Sequence, residues 1–254
     1  MIDVAVEDAI VVITLNRPEV MNALNAEMRA ELTHALRVVS PYARVVVIRG
    51  SGDAFCTGQD LGEDIKVVDA DLERVLRDEY VPLLRAVSNC HAPTIAAVNG
   101  PAAGAGANLA LSADVVIARE SAYFFQAFVA IGLMPDAGGT WMLPRQMGMA
   151  KSMGAALFGD RISAVDASNW GMIWEAVPDD LFEEHWKSRA AQLAAGPTQA
   201  YRNIRKAIRS AYGNSYEEHL LLEARLQGGL GKTRDFKEGL LAFSEKRPPV
   251  FEGR

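Results

Sequence analysis

Three short, almost wholly apolar runs, at Arg44–Arg49, Thr94–Val98 and Asp114–Ala118, constrain the fold of this chain more than any other feature. Each has the length of a strand, and a strand that is apolar along its whole length needs cover on both faces. The first is closed by Gly50-Ser51-Gly52. Helical stretches lie between such runs. Asn25 can cap a helix over roughly Ala26–Val39, in which Met28, Leu32, Ala35, Leu36 and Val39 recur near helical spacing. Gly104–Ser112 is long enough for another helix. Ahead of these, Val4–Val6 and Ala9–Leu15 flank the polar pair Glu7-Asp8, the pattern of an opening β-hairpin. Strands alternating with helices predict an α/β architecture. From about Phe182 the character changes to helix alone, at Phe182–Ala195, Thr198–Tyr212 and Ser215–Leu226, punctuated by Pro197 and Gly213-Asn214. We therefore expect a core over residues 1–195 and a C-terminal helical region over 196–254.

Composition narrows the function classes. The 254 residues carry a net charge of −6 with both signs interspersed, so the basic stripe of a nucleic-acid binder is missing. An acidic balance still permits a phosphate-bearing ligand, because backbone amides and a few placed cations suffice. No apolar run reaches the length of a membrane span. The opening Met1-Ile2-Asp3-Val4 lacks the basic and apolar regions of a secretion signal, and two cysteines, Cys56 and Cys90, make no disulfide framework. A cytoplasmic enzyme is the expectation. The four histidines have no metal-ligand spacing, so no metal is expected.

Four segments carry possible chemistry. Asn16-Arg17-Pro18 followed by Asn22-Ala23-Leu24 suits a turn and a helix cap. Ala54-Phe55-Cys56-Thr57-Gly58-Gln59-Asp60-Leu61 follows the first strand, and its small residues would let backbone amides face a ligand. Cys56 has apolar neighbours and no nearby histidine, which favours a small buried residue over a nucleophile. Asn99–Leu111 runs from a strand end through Gly and Ala into a helix, a geometry that gathers free N–H groups; close helix packing would ask for the same residues. It is not a dinucleotide fingerprint, since Leu109 stands where the third glycine belongs. Gly132–Thr140 holds Asp136 between a proline and two glycines, which fits either a turn aspartate or a placed carboxylate. Elsewhere, Ser163-Ala164-Val165-Asp166 reads as a structural capping box before a helix ending near Gly171.

In this order and spacing the four segments resemble the crotonase (enoyl-CoA hydratase/isomerase) superfamily, from about Ile10 to Pro178 and more weakly to Lys246-Arg247-Pro248-Pro249. The resemblance implies a spiral of ββα units, a C-terminal helical trimerisation region, homotrimers or hexamers, and an acyl-CoA thioester as partner. Coenzyme A enters within the substrate, and no other cofactor is implied. The backbone amides of Gln59 and Ala105 correspond to the family's oxyanion hole. Ala23, Ala54, Asp60 and Leu61 correspond to positions lining the CoA groove. Hydratases of the family use two glutamates, and at those positions this chain has Asn108 and Phe128, neither of which exchanges a proton. Asp136 is the carboxylate left in a family-equivalent active-site loop. One base and one oxyanion hole suffice for isomerisation. The segments Gln126-Ala127-Phe128, Pro135–Trp141 and Trp170–Trp174 closely resemble the branch that isomerises the ring epoxide of phenylacetyl-CoA, in which the aspartate of this loop is the acid/base. A hydratase with an unorthodox acid, a dehalogenase with Asp136 as nucleophile, and a non-catalytic acyl-CoA-binding subunit are the rival readings.

Overall fold

The computed structural model describes residues 1–64 and 71–254. Its main sheet has six strands in the order β1 (Ile2–Glu7), β2 (Ile10–Leu15), β3 (Val45–Gly50), β4 (Thr94–Val98), β6 (Val115–Arg119) and β9 (Glu175–Val177). β1 and β2 form the expected hairpin, and every later pairing is parallel. The hairpin turn is Asp8-Ala9 rather than Glu7-Asp8. Glu7 pairs with Ile10 in the ladder, and the two turn residues take φ of 47° and 64°, as a tight two-residue connection requires.

The apolar runs are explained by what lies on each side of the sheet. Alternate residues of a strand point to opposite faces. Val46, Ile48, Ala96, Val98 and Val116 enter one core, with Met28, Leu32 and Leu36 of α1 (Ala26–Val39) and Leu83 and Val87 of α4 (Val81–Ser88). Val45, Val47, Ile95, Ala97 and Ile117 enter a second core, covered by Phe182, Trp186 and Ala190 of α8 (Phe182–Ala195). Asn25 caps α1 as expected, its side chain accepting from the Met28 amide at 2.9 Å.

A second sheet was not legible in sequence. β5 (Ala102–Ala103) pairs parallel with β7 (Tyr123–Phe125), and β7 pairs antiparallel with β8 (Arg161–Ser163). Strands of two or three residues leave no periodicity to read. The helix expected over Gly104–Ser112 is α5 (Ala105–Leu111). After Asp136 comes α6 (Gly139–Phe158), broken by Gly148 at φ 78°. Ser163 caps α7 (Ala164–Asn169) through the Asp166 amide at 3.0 Å.

The tail is helical, as expected: α9 (Thr198–Ser210), α10 (Tyr216–Leu230) and a further helix, α11 (Arg234–Glu245). The sequence reading did not anticipate α11, although Thr233 caps it by accepting from the Phe236 amide. α9 returns to the core, where Arg205 and Arg209 both reach Asp114 at 2.7 Å. Two short helices, α2 (Leu61–Asp64) and α3 (Leu72–Val75), flank the undescribed segment; a π turn over Leu76–Tyr80 then joins α3 to α4. No helix among the described residues is long and apolar enough to cross a membrane.

Candidate active site

Two strand ends, β3 and β4, deliver their following loops to the same place. Asn99 ties them together: its Oδ1 accepts from the Gly50 amide at 3.0 Å, and its Nδ2 donates to the Gly52 carbonyl at 3.0 Å. Beyond this knot the chain 57–59 runs against 103–105. Gly58 has φ 90°, and a Cβ there would lie 2.8 Å from the Ala103 carbonyl and 3.1 Å from the Ala105 nitrogen. No side chain fits, so glycine is demanded by conformation and by space. Gly104, at φ 52°, precedes α5, which makes Ala105 its first residue. An amide at that position has no intrahelical acceptor. On the other strand of the site, Leu24 and Gln59 form an isolated parallel bridge in which the Leu24 amide donates to Gly58 O and the Asp60 amide to Leu24 O. By the alternation of such a bridge, the N–H of residue 59 points away from Leu24.

These loops open into a cavity of about 610 Å³. Thr57, Gln59, Leu61, Gly104 and Ala105 form one side, and Phe128, Ile131, Leu133, Met134 and Asp136 another. Phe128 lies on a 3₁₀ turn, Ala127–Ile131, with its ring against Gly104. Asp136 is half-buried, and among the described residues nothing donates to its buried Oδ1. Burial pushes its carboxyl up to about 6, opposed in part by its own backbone amide. Two other carboxylates line the same cavity among the described side chains. Glu79 is paired with Arg29 at 2.5 Å, and Asp71 accepts from the Arg74 amide at the start of α3. Asp136 is the one left without such a commitment.

Of the residues expected at the site, Gln59, Leu61, Ala105, Phe128 and Asp136 line the cavity. Ala23, Ala54, Asp60 and Asn108 are buried and are not among the residues that line it. They are held by internal hydrogen bonds. Asp60 accepts from Arg17 at 2.7 Å, and the same arginine nitrogen donates to the Ala23 carbonyl. The Ala54 carbonyl accepts from the Asn22 side chain at 2.9 Å. Asn108 is fully buried, donates to the Asp136 carbonyl at 2.8 Å and exchanges hydrogen bonds with Gln126. Gly139 presses on it, since a Cβ there would meet the Asn108 amide nitrogen at 2.5 Å. Asn108 thus supports the backbone that presents Asp136.

Cys56 is fully buried, and burial pushes its thiol up to about 12, as suits a packing residue and not a nucleophile. Arg29, Glu79 and Tyr80, which also line the cavity, were missed in the sequence. Arg29 left a signal there: it occupies the apolar face of α1 beside Met28 and Leu32, where a charge needs a reason. Among the described residues, no group of three His, Cys, Asp or Glu side chains could hold a metal ion.

The same arrangement has relatives. A protein of Rhodobacter capsulatus named "Probable enoyl-CoA hydratase" is 60% identical over 98% of this chain and 96% of its own. The 1,2-epoxyphenylacetyl-CoA isomerase of Escherichia coli is 43% identical over 98% of this chain and 97% of its own. The crystal structure of an enoyl-CoA hydratase from Bacillus anthracis superposes with a TM-score of 0.92 at 33% identity, covering 100% of this chain and 99% of that one. The fold is accordingly the crotonase fold. The family profile described as enoyl-CoA hydratase/isomerase matches residues 5–254, and the chain belongs to that family.

Proposed function

We propose that the protein is an acyl-CoA isomerase in which Asp136 is the single acid/base and the backbone amides of Gln59 and Ala105 hold the thioester oxygen. The observation that carries this reading is the uncommitted, half-buried carboxyl of Asp136 in a cavity whose other two described carboxylates are engaged by Arg29 and by a helix cap. Asp136 takes a proton from the carbon next to the thioester. Negative charge develops on the carbonyl oxygen, where two preorganised donors are worth about 3–4 kcal/mol each. The same carboxyl then returns the proton further along the conjugated system. Atoms balance without water and without a cofactor.

The apolar lining supports a bulky acyl group. Phe128, Ile131, Leu133, Met134 and Leu72 surround the space beside Asp136. We infer the ring epoxide of phenylacetyl-CoA as substrate, with 3-enoyl-CoA thioesters as a second class; the Escherichia coli relative's name agrees with that reading. The name of the Rhodobacter capsulatus relative favours hydration instead. Against hydration stand Asn108, whose amide is spent inside the wall, and Phe128, which brings a ring to the cavity and no proton.

The test is incubation with a panel of acyl-CoAs in deuterated water, read by mass spectrometry, beside water addition to crotonyl-CoA. Deuterium at the α-carbon with slow hydration is the expected result. Hydration of crotonyl-CoA as fast as isomerisation would transfer the assignment to a hydratase. Binding without exchange would leave a non-catalytic acyl-CoA-binding subunit, and a covalent adduct on Asp136 would identify a dehalogenase.

A further inference from the structure

Gln59 belongs to a loop, and a loop amide is useful as a fixed donor only if something holds it. One edge is held by the bridge to Leu24, with the Leu24 amide on Gly58 O at 2.7 Å and the Asp60 amide on Leu24 O at 3.2 Å. The side chain of Gln59 is held separately. Its Oε1 accepts from Arg29 Nη1 at 2.9 Å and from the Tyr80 hydroxyl at 2.6 Å. Arginine can only donate, so the carboxamide has one possible orientation, and both lone pairs of its oxygen are used.

Arg29 is 3% exposed. Its Nη1 also donates to the Leu24 carbonyl at 2.6 Å, so one guanidinium grips both anchors of the segment that carries residue 59. Its Nε and Nη2 donate to Glu79 at 3.1 and 2.5 Å, and the group lies 4.9 Å from the centroid of the Tyr80 ring. Burying a guanidinium is costly unless its donors are used, and an apolar filler would avoid that cost altogether. Glu79 and Tyr80 are consecutive residues of the π turn Leu76–Tyr80, a rare element that recurs at functional sites. Burial also holds the Tyr80 phenol above its usual range, so the hydroxyl keeps the proton that it donates to Gln59.

We propose that Arg29 and Tyr80 are positioning residues that clamp the side chain of Gln59 and thereby aim the N–H of residue 59 at the thioester oxygen. The proposal rests on that amide being an oxyanion donor. It assigns a task to a buried charge and a buried hydroxyl that the acid/base chemistry does not use.

The probe is phenylacetyl-CoA labelled with ¹³C at the thioester carbonyl. Difference infrared spectra read how strongly the bound carbonyl is polarised, and α-proton exchange in deuterated water reads turnover. Tyr80→Phe keeps the ring under Arg29 and removes only the hydroxyl; Gln59→Leu keeps the backbone amide and removes the clamped oxygen. Each should slow exchange at saturation about 10- to 100-fold with little change in half-saturation, because a displacement on the order of 1 Å is that expensive. The bound carbonyl stretch should move back toward its frequency in free solution. The double variant should be no slower than Gln59→Leu, since Tyr80 acts through Gln59. Asp136→Asn should lose exchange and keep the carbonyl shift. An unshifted carbonyl in the parent protein would remove the oxyanion reading and this proposal together. A parent shift that survives in Tyr80→Phe with full exchange would overturn the clamp alone. Additive losses in the double variant would also overturn it, by showing that Tyr80 acts on substrate directly. If Gln59→Leu does not unfold thermally as a single folded species, Tyr80→Phe alone decides.

Discussion

Asp136 is asked to be both a buried group and a charged one. Its carboxyl is pushed up to about 6 by burial, so it is ionised at neutral pH at some cost to the fold. Its proposed role and the sign of that shift carry three predictions. Exchange at low substrate concentration should rise through about pH 6 and level off above it, because the base form is the active one. Asp136→Asn should reduce exchange by about 10²–10⁴-fold while acyl-CoA still binds. The same variant should melt at a higher temperature than the parent at pH 7, where the parent carries a buried charge. The gap should close as pH falls below about 4, where the parent's carboxyl is neutral in both folded and unfolded chains. Calorimetry across pH checks this, and an Asn variant that is less stable at pH 7 would contradict the burial account. Asn108 makes the complementary case. Replacing it with Ala would strand the Asp136 carbonyl and the Gln126 side chain, at a cost of about 1–3 kcal/mol by urea denaturation.

At the scale of elements, the site is made where strands stop. β3 and β4 end side by side, and the Asn99 side chain binds their two loops into one body. α5 begins within this body, so the amide of Ala105 is placed by a helix start and that of Gln59 by a bridge. A different junction joins the tail to the core. Asp114 receives Arg205, Arg209, and both the amide and hydroxyl of Thr94. All but Arg209 are largely buried there. Asp114→Ala should therefore destabilise the fold by about 3 kcal/mol, because it leaves the Arg205 charge poorly compensated. A loss below about 0.5 kcal/mol would make this an ordinary surface pair.

On the scale of the whole molecule, the helical tail and α6 both carry large hydrophobic side chains in exposed positions. Ile204, Ile208, Leu221, Leu241 and Phe243 on the tail, with Met149, Leu157 and Phe158 on α6, are exposed large hydrophobic residues. We expect trimers or multiples of trimers in solution. Light scattering at micromolar concentration that returns a monomeric mass of about 27.5 kDa would refute this.

The class of fold was legible in the chain, and so were several of the loops that the structure brings to the cavity. Apolar runs short enough to be strands and covered on both faces can be read because burial on two faces leaves no polar residue to interrupt the run, as at Val45-Val46-Val47-Ile48. The order of Gly58, Gly104 and Asp136 along the chain could be read for the same kind of reason, since glycine and aspartate are chosen locally by backbone and charge. Which of these residues face the cavity depends on how the elements pack. Asn108 and Phe128 look equivalent in sequence, as two residues without a carboxylate. The fold turns Asn108 into the wall, where it bonds the Asp136 backbone, and turns Phe128 toward the cavity. Arg29 and Tyr80 are separated by fifty residues, and nothing local joins them. Their meeting at the Gln59 oxygen exists only once α1, the π turn and the loop after β3 are packed together, because a hydrogen bond depends on distances that no local sequence pattern records.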